Sequence, residues 1–366
     1  MTERDALTQL WVGTYPKRGG AAGSGESIWR VALTPDGAVA SAVPAVAATS
    51  PSFLALHPTG RTLYAVAETP AGTLSAFRVE AADDGSDDGV RLAPSGAVAS
   101  GGDEPCHVLS RGDAVWVANY GDGVAASVDV DPATGDLAAE GVVAHPGVGT
   151  GPVVERQAGP HAHFVADSGD DVLVCDLGAD VVRRYPAAGA EPGTAAEIAA
   201  VLPPGTGPRH LVMLPDGSLV VVGELDARVH LLVRDGDGWS PAAAVPVSPV
   251  AEAGRDYPAH VTLSADGARL HVGLRGADVL AVLRVVPAES GAPVLEHLAD
   301  VPLGDGAWPR HHAVLSSDGA DGAETVVVAL QDRSELATVR LDPATGAGEV
   351  VARHALPTPP ACVLES

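Results

Sequence analysis

The stretch GPRHLVMLPDGSLVVVGEL, residues 207–225, holds two apolar runs separated by a Pro-Asp-Gly turn. Arg209 and His210 precede the first run, and Glu224 ends the second. Short apolar runs bounded by turn residues are the pattern of paired, buried strands. The pattern recurs. Each copy opens on a proline, at Pro51, Pro105, Pro160, Pro208, Pro258 and Pro309, and successive prolines stand 54, 55, 48, 50 and 51 residues apart. A seventh copy is split. PPACVLES at the C-terminus supplies its first strand after Pro360, and LTQLWVGTY and ESIWRVAL near the N-terminus supply the second and third. In the first copy, SFLALHPTG, TLYAVAE, TLSAFRVE and LAPSGAVA read as four successive strands. About fifty residues per four-stranded unit is the scale of a propeller blade. The pattern predicts an all-β fold, a seven-bladed β-propeller of four-stranded blades spanning 1–366 as one unit. The N- and C-terminal strands close its last blade, which removes free sheet edges. The nearest approach to an amphipathic helix, GTAAEIAAVL at 193–202, is expected to be loop or outer strand.

In such a ring the first strand of each blade lines the central channel. The residues just after each proline then lie near one mouth: Ser52 and Phe53, Cys106 and His107, His161 and His163, Arg209 and His210, Ala259 and His260, Arg310 with His311 and His312. The second strands end in Glu68, Asn119, Asp176, Glu224, Arg275 and Gln331. Polar groups from many blades should therefore converge at one end. The repeated histidines, His107, His210, His260 and His311, also have an architectural reading, as hydrogen-bonding groups between blades. Asn119 and Gln331 read as strand-end hydrogen-bonding groups, and Asp176 as a turn cap. The non-repeated residues are the stronger candidates: Arg209, Glu224, Arg275, Arg156, Arg310 and the pair His161 and His163. Arginine rarely sits in an apolar interior without an anionic partner, and Glu224 itself could be that partner.

Composition narrows the partners. The formal net charge is −25, which disfavours nucleic acid and anionic membranes over the surface as a whole. Lys17 is the only lysine, so an anion site must rest largely on arginine, histidine or backbone N–H groups. Gly (43) and Pro (30) fall between apolar runs, as turns between many short strands require. The three cysteines, Cys106, Cys175 and Cys362, are far apart and form no C-x-x-C, which fits a reducing compartment. The charged N-terminus has no apolar core of a signal sequence, and no apolar stretch approaches a membrane span. A cytoplasmic protein, monomeric or weakly dimeric, is expected.

The stretches VGTYPKRGGAAGSGESIWRVAL (12–33), SPSFLALHPTGRTLYAVAE (50–68) and PCHVLSRGDAVWVANYGDGVAASVDVDPATGDL (105–137) are followed by ERQAGPHAHFVADSGDDVLVCDLGADVVRRY (155–185) and GTGPRHLVMLPDGSLVVVGEL (205–225). HVTLSADGARLHVGLRGADVLAV (260–282) and WPRHHAVL (308–315) complete the series. In order and spacing they resemble the seven-bladed lactonase family, which includes 6-phosphogluconolactonases and fungal carboxymuconate-lactonising enzymes. Two departures stand out. Leu274 precedes Arg275 where the family usually has Asn, and SSDGADGAET lengthens a turn in the sixth unit. In the lactonising branch the resemblance implies a catalytic histidine, at His161 or His163, two arginines, at Arg209 and Arg275, and Glu224. Arg156, His107, His210, Arg310 and His311 are the expected substrate-binding set.

Lactone hydrolysis needs a base for water, a cation or donor for the developing oxyanion and a proton for the leaving alkoxide. Glu224 or a histidine could be the base. Arg209 or Arg275 could hold the carbonyl oxygen, or bind a substrate carboxylate or phosphate. His161, His163, Asp176 and Glu224 could form a metal site on paper, but the arginines beside them oppose a cation, and the resemblance implies neither metal nor cofactor. The expected partner is a small anionic lactone or carboxylate substrate, 6-phosphogluconolactone first. The alternatives are a carboxymuconate-type cycloisomerase and a non-catalytic binding propeller.

Overall fold

The structure is a computed structural model that describes residues 7–81, 89–138, 141–187, 195–288, 291–316 and 322–366. Its strands form seven four-stranded antiparallel sheets. Six are continuous in the chain. The seventh takes Pro360–Glu365 as its first strand and adds Thr8–Thr14, Ser27–Leu33 and Val39–Ala47. Leu10 pairs with Glu365 and Val12 with Val363, which ties the two ends of the chain together.

The first strands of the other blades are Pro51–Leu56, Pro105–Ser110, Ala162–Asp167, Pro208–Met213, Tyr257–Leu263 and Pro309–Val314. Each touches the next, and Pro360–Glu365 returns to Pro51–Leu56, so the ring is closed. Outer positions carry the fourth strands. One of them, Glu197–Val201, falls in the stretch expected to be loop or outer strand, of which residues 193 and 194 lie outside the described part. Residues 317–321 of the SSDGADGAET turn also lie outside it. Among the described residues the single helix is one turn, Val154–Gln157, before the third blade.

The second strands are the most buried. Every residue of Leu219–Gly223 and of Glu324–Leu330 is buried, because each sheet has neighbours on both faces. Val220 and Val222 of the fourth blade join Val272 and Leu274 of the fifth in one apolar cluster. Each such side chain taken from water contributes about 1.5–3 kcal/mol. Blade contacts leave little room at the closing seam. A methyl group on Gly13 would stand 2.1 Å from the carbonyl oxygen of Pro51.

One irregularity repeats in all seven blades. Just after the opening proline, the pairing between first and second strands slips. In the fourth blade Pro208 pairs with Gly223 and His210 with Val222, so Arg209 has no opposite residue. Cys106, His163 and Arg310 fall in the same slip. A bulge of this kind bends the strand and re-aims the side chain that it skips.

Candidate active site

The slip divides each opening pair between two places. Cys106, His163, Arg209 and Arg310, the skipped residues, line a cavity of about 230 Å³ at the channel mouth. Their successors His107, Phe164, His210 and His311 turn instead into the packed interior of the channel. His107 lies between Phe53 and Phe164, each 4.1 Å away between ring centroids. His260 stacks on His311 at 4.0 Å, and His210 and His260 share a 2.8 Å contact between their Nδ1 atoms. The Nδ1 atoms of His107 and His311 accept from the backbone N–H groups of Val165 and Val363 in neighbouring blades. Burial first, and nearby charged or imidazole groups second, hold His107, His210, His260 and His311 well below the usual histidine pKa. These rings are neutral packing groups. The structure does not bring His107, His210 or His311 to the cavity, contrary to their expected place in a substrate-binding set.

The cavity is built around Glu224. Its Oε2 stands 2.8 Å from Arg209 Nε and accepts from Arg275 Nη2 at 2.8 Å, while Oε1 accepts from Arg156 Nη2 at 2.6 Å. Glu224 and Arg209 are almost wholly buried, and Arg156 is about one third exposed at the rim. The short helix Val154–Gln157 carries Arg156 in from between the second and third blades. Burial alone would raise the Glu224 carboxyl, but Arg275, Arg209 and Arg156 hold it well below the carboxylate range. Burial, and then the charge of Arg275, lower the Arg209 guanidinium to about 9, which leaves it a cation at neutral pH.

His163 lines the cavity beside this cluster, and its Nδ1 has no hydrogen-bond partner among the described residues. Burial, followed by the charge of Arg209, keeps its ring neutral. Across the cavity, Arg310 stands 3.8 Å from Glu68 Oε1 and lies over the ring of Tyr15. The lining thus holds four guanidiniums, of Arg156, Arg209, Arg275 and Arg310, against the carboxylates of Glu68 and Glu224. Two positive charges are in excess, inside a chain of net charge −25.

Six of the expected site residues therefore meet: His163, Arg156, Arg209, Glu224, Arg275 and Arg310. His161 does not join them. It precedes the strand, its ring stacks on Tyr120 at 4.5 Å, and its Nδ1 donates to the Tyr120 carbonyl oxygen at 2.6 Å. The bulge puts His161 and His163 on different walls, so the H-x-H spacing does not gather two imidazoles. Asp176 is occupied elsewhere, capping the turn through the N–H groups of His161 and Gly178 and facing Arg183. Asn119 closes its strand end through the carbonyls of Ser100 and Val124. Three lining residues escaped the expected set: Glu68, Cys106 and Tyr120. Glu68 stood among the strand ends and Cys106 among the post-proline residues. Tyr120, directly after Asn119, carried no signal. Burial raises the Cys106 thiol far above its usual range, which disfavours the thiolate.

A protein of Lactococcus lactis named only as uncharacterized is 29% identical over 286 residues, 76% of this chain and 79% of its own. The 6-phosphogluconolactonase of Bacillus subtilis is 25% identical over 339 residues, 89% of this chain and 91% of its own. Among solved structures, the periplasmic gluconolactonase of Pseudomonas aeruginosa is 29% identical, with a TM-score of 0.80 over 98% of this chain and 99% of that one. Residues 9–364 match the family described as Lactonase, 7-bladed beta-propeller, and with seven closed blades and an arginine-lined mouth the chain belongs to that family.

Proposed function

We propose that this lactonase hydrolyses an anionic sugar lactone, 6-phosphogluconolactone foremost, in the cavity around Glu224. The observation that carries the reading is the excess of two positive charges on the lining. An anionic substrate is drawn to a local cationic funnel even when the protein as a whole is acidic. The Bacillus relative named as a 6-phosphogluconolactonase adds support for the phosphorylated sugar.

The groups divide the work by their charge states. Arg209 is held through Nη1 by the Ala259 carbonyl with Glu224 as counter-charge beside its Nε, and Arg275 through Nε and Nη2, which leaves one terminal nitrogen on each without a partner among the described residues to meet the lactone carbonyl oxygen. There they stabilise the oxyanion that forms as water attacks. His163, neutral and beside Arg209, takes the proton from that water. When the ring C–O bond breaks, the imidazolium returns the proton to the leaving alkoxide, and the product is an open-chain hydroxy acid. Glu224, clamped by three guanidiniums, serves as a positioning residue rather than the base.

Three free, buried cysteines support a cytoplasmic setting. No helix among the described residues is long and apolar enough to cross a membrane.

The test is hydrolysis of freshly prepared 6-phosphogluconolactone and of gluconolactone by wild type, Arg209→Ala and His163→Ala. We expect wild-type turnover well above the spontaneous rate, a preference for the phosphorylated lactone, and loss of turnover in both variants with folding retained. No acceleration of either lactone overturns the assignment and makes muconolactones the next substrates to try.

A further inference from the structure

A second depression opens beside the catalytic cavity and is larger, about 640 Å³. Its lining includes Tyr15, Lys17, Arg18, Trp308, Gln331 and Asp332. Two aromatic residues tie it to the cavity. Tyr15 donates its hydroxyl to Glu68 at 2.5 Å, and the Arg310 guanidinium lies 4.7 Å from the centre of its ring. Trp308 has the Arg275 guanidinium 5.4 Å from its ring centre. Glu68, Arg310 and Arg275 all line the cavity, so Tyr15 and Trp308 are the partition between the two spaces.

The position of Trp308 is braced. Its backbone has φ 51°, in the left-handed region that a bulky residue rarely occupies. The two carboxylate oxygens of Asp278 hold that turn, accepting from the N–H groups of Trp308 at 2.8 Å and Gly306 at 2.7 Å. The same left-handed turn precedes the opening prolines of other blades, at Ser50, Glu104 and Gly207, and Asp180 holds Gly205 and Gly207 as Asp278 holds Gly306 and Trp308, so the turn belongs to the blade pattern and here it carries an indole at a fixed place.

The basic residues are equally placed. Lys17, the only lysine of the chain, and Arg18 are exposed on the loop after Thr8–Thr14. Among the described residues no carboxylate pairs with either, and Asp332 is the one acidic residue on the groove's lining. In a chain with 47 acidic and 22 basic residues, two adjacent unpaired cations beside a fixed indole are an anion site waiting for an anion.

We propose that this groove receives the distal phosphate of the lactone, with Lys17 and Arg18 binding it and Trp308 supporting the sugar between groove and cavity. The inference rests on the lactonase reading and deepens it. The cationic cavity draws the anionic lactone and hydrolyses it, and the groove adds contacts to the phosphate that an unphosphorylated lactone cannot use.

The experiment compares wild type with the Lys17→Ala/Arg18→Ala double variant, neither residue being part of the hydrolytic cluster. On 6-phosphogluconolactone, kcat/KM should fall about tenfold or more, through KM with kcat nearly unchanged, as expected when uniform binding is removed. On gluconolactone the variant should match wild type. Equal losses on both lactones, or none on either, overturn the proposal while leaving the lactonase reading intact. If wild type hydrolyses neither lactone, that reading fails. The groove is then judged by calorimetric titration with inorganic phosphate: weaker binding by the double variant upholds an anion site, and unchanged binding overturns it. Trp308→Ala should lower affinity for both sugars, because its support is to the ring.

Discussion

Glu224 faces three guanidiniums, and its charge is what permits them to share a buried space. Removing one partner of a buried cluster leaves the rest uncompensated, typically at a cost of about 3–5 kcal/mol. Glu224→Gln should therefore lower stability by about that amount in denaturant titrations at neutral pH. The pH dependence has a definite sign. A carboxylate depressed in the fold contributes stability above its unfolded pKa, near 4.3, and loses that contribution as pH falls through the folded value. The gap between variant and wild type should stay constant from pH 8 to 5 and narrow only below about 4.3. His163 gives a kinetic counterpart. Because burial and Arg209 hold its pKa far down, it stays unprotonated at mildly acid pH. The profile of kcat/KM, corrected for spontaneous hydrolysis, should show no acid limb near 6.5. His163→Ala should cost about 10²–10⁴ in kcat. An acid limb at the ordinary histidine value would assign the base to another group.

At the scale of elements, prolines and Asp-Gly turns marked the strands clearly, since proline and glycine act locally on the backbone. The seven opening strands, the split blade and the convergence of Arg209, Glu224 and Arg275 were all readable from that punctuation. The bulge was not. The opening proline that stands beside it reads equally as a strand start, and proline alone does not say which residue the pairing skips. The bulge decides that Arg209 lines the cavity while His210, next in the chain, becomes packing. Tyr120 was missed for the same kind of reason: its place depends on a loop between blades, not on any period. The channel histidines have an energetic consequence. His107, His163, His210, His260 and His311 are held well below the usual value, and His312 at about 3. Below pH 6.5 the unfolded chain binds protons at these sites while the folded one does not, so stability must fall as pH falls. Each contributes up to about 1.4 kcal/mol per pH unit, and six together approach about 8. Denaturant midpoints at pH 7.5, 6.5 and 5.5 should drop steeply across the lower interval. A flat response would show the rings already protonated or solvated, and His210→Phe with His260→Phe should make the slope shallower.

The whole molecule depends on closure. Pro360–Glu365 joins Thr8–Thr14, and beside that joint Gly13 lies against the backbone of Pro51, which opens the next blade. Gly13→Ala forces a methyl group onto a carbonyl oxygen that strand pairing holds in place. It should cost about 1–3 kcal/mol by denaturant unfolding, the range of overpacked cores. An unchanged midpoint would mean that the ring can widen at its seam. Closure also arranges seven slips, one per blade, around a single channel. Four of the slips hold Cys106, His163, Arg209 and Arg310, which line the cavity, whereas the slips of the other three blades span Ser52 and Phe53, Ala259 and His260, and Ala361, which do not. The ring is in this sense a keyboard with seven keys, each set by a separate stretch of chain and each anchored by its own blade. A lineage, or an engineer, can retune one key without rewriting the others, and the three blades whose slips stay out of the cavity are its silent notes.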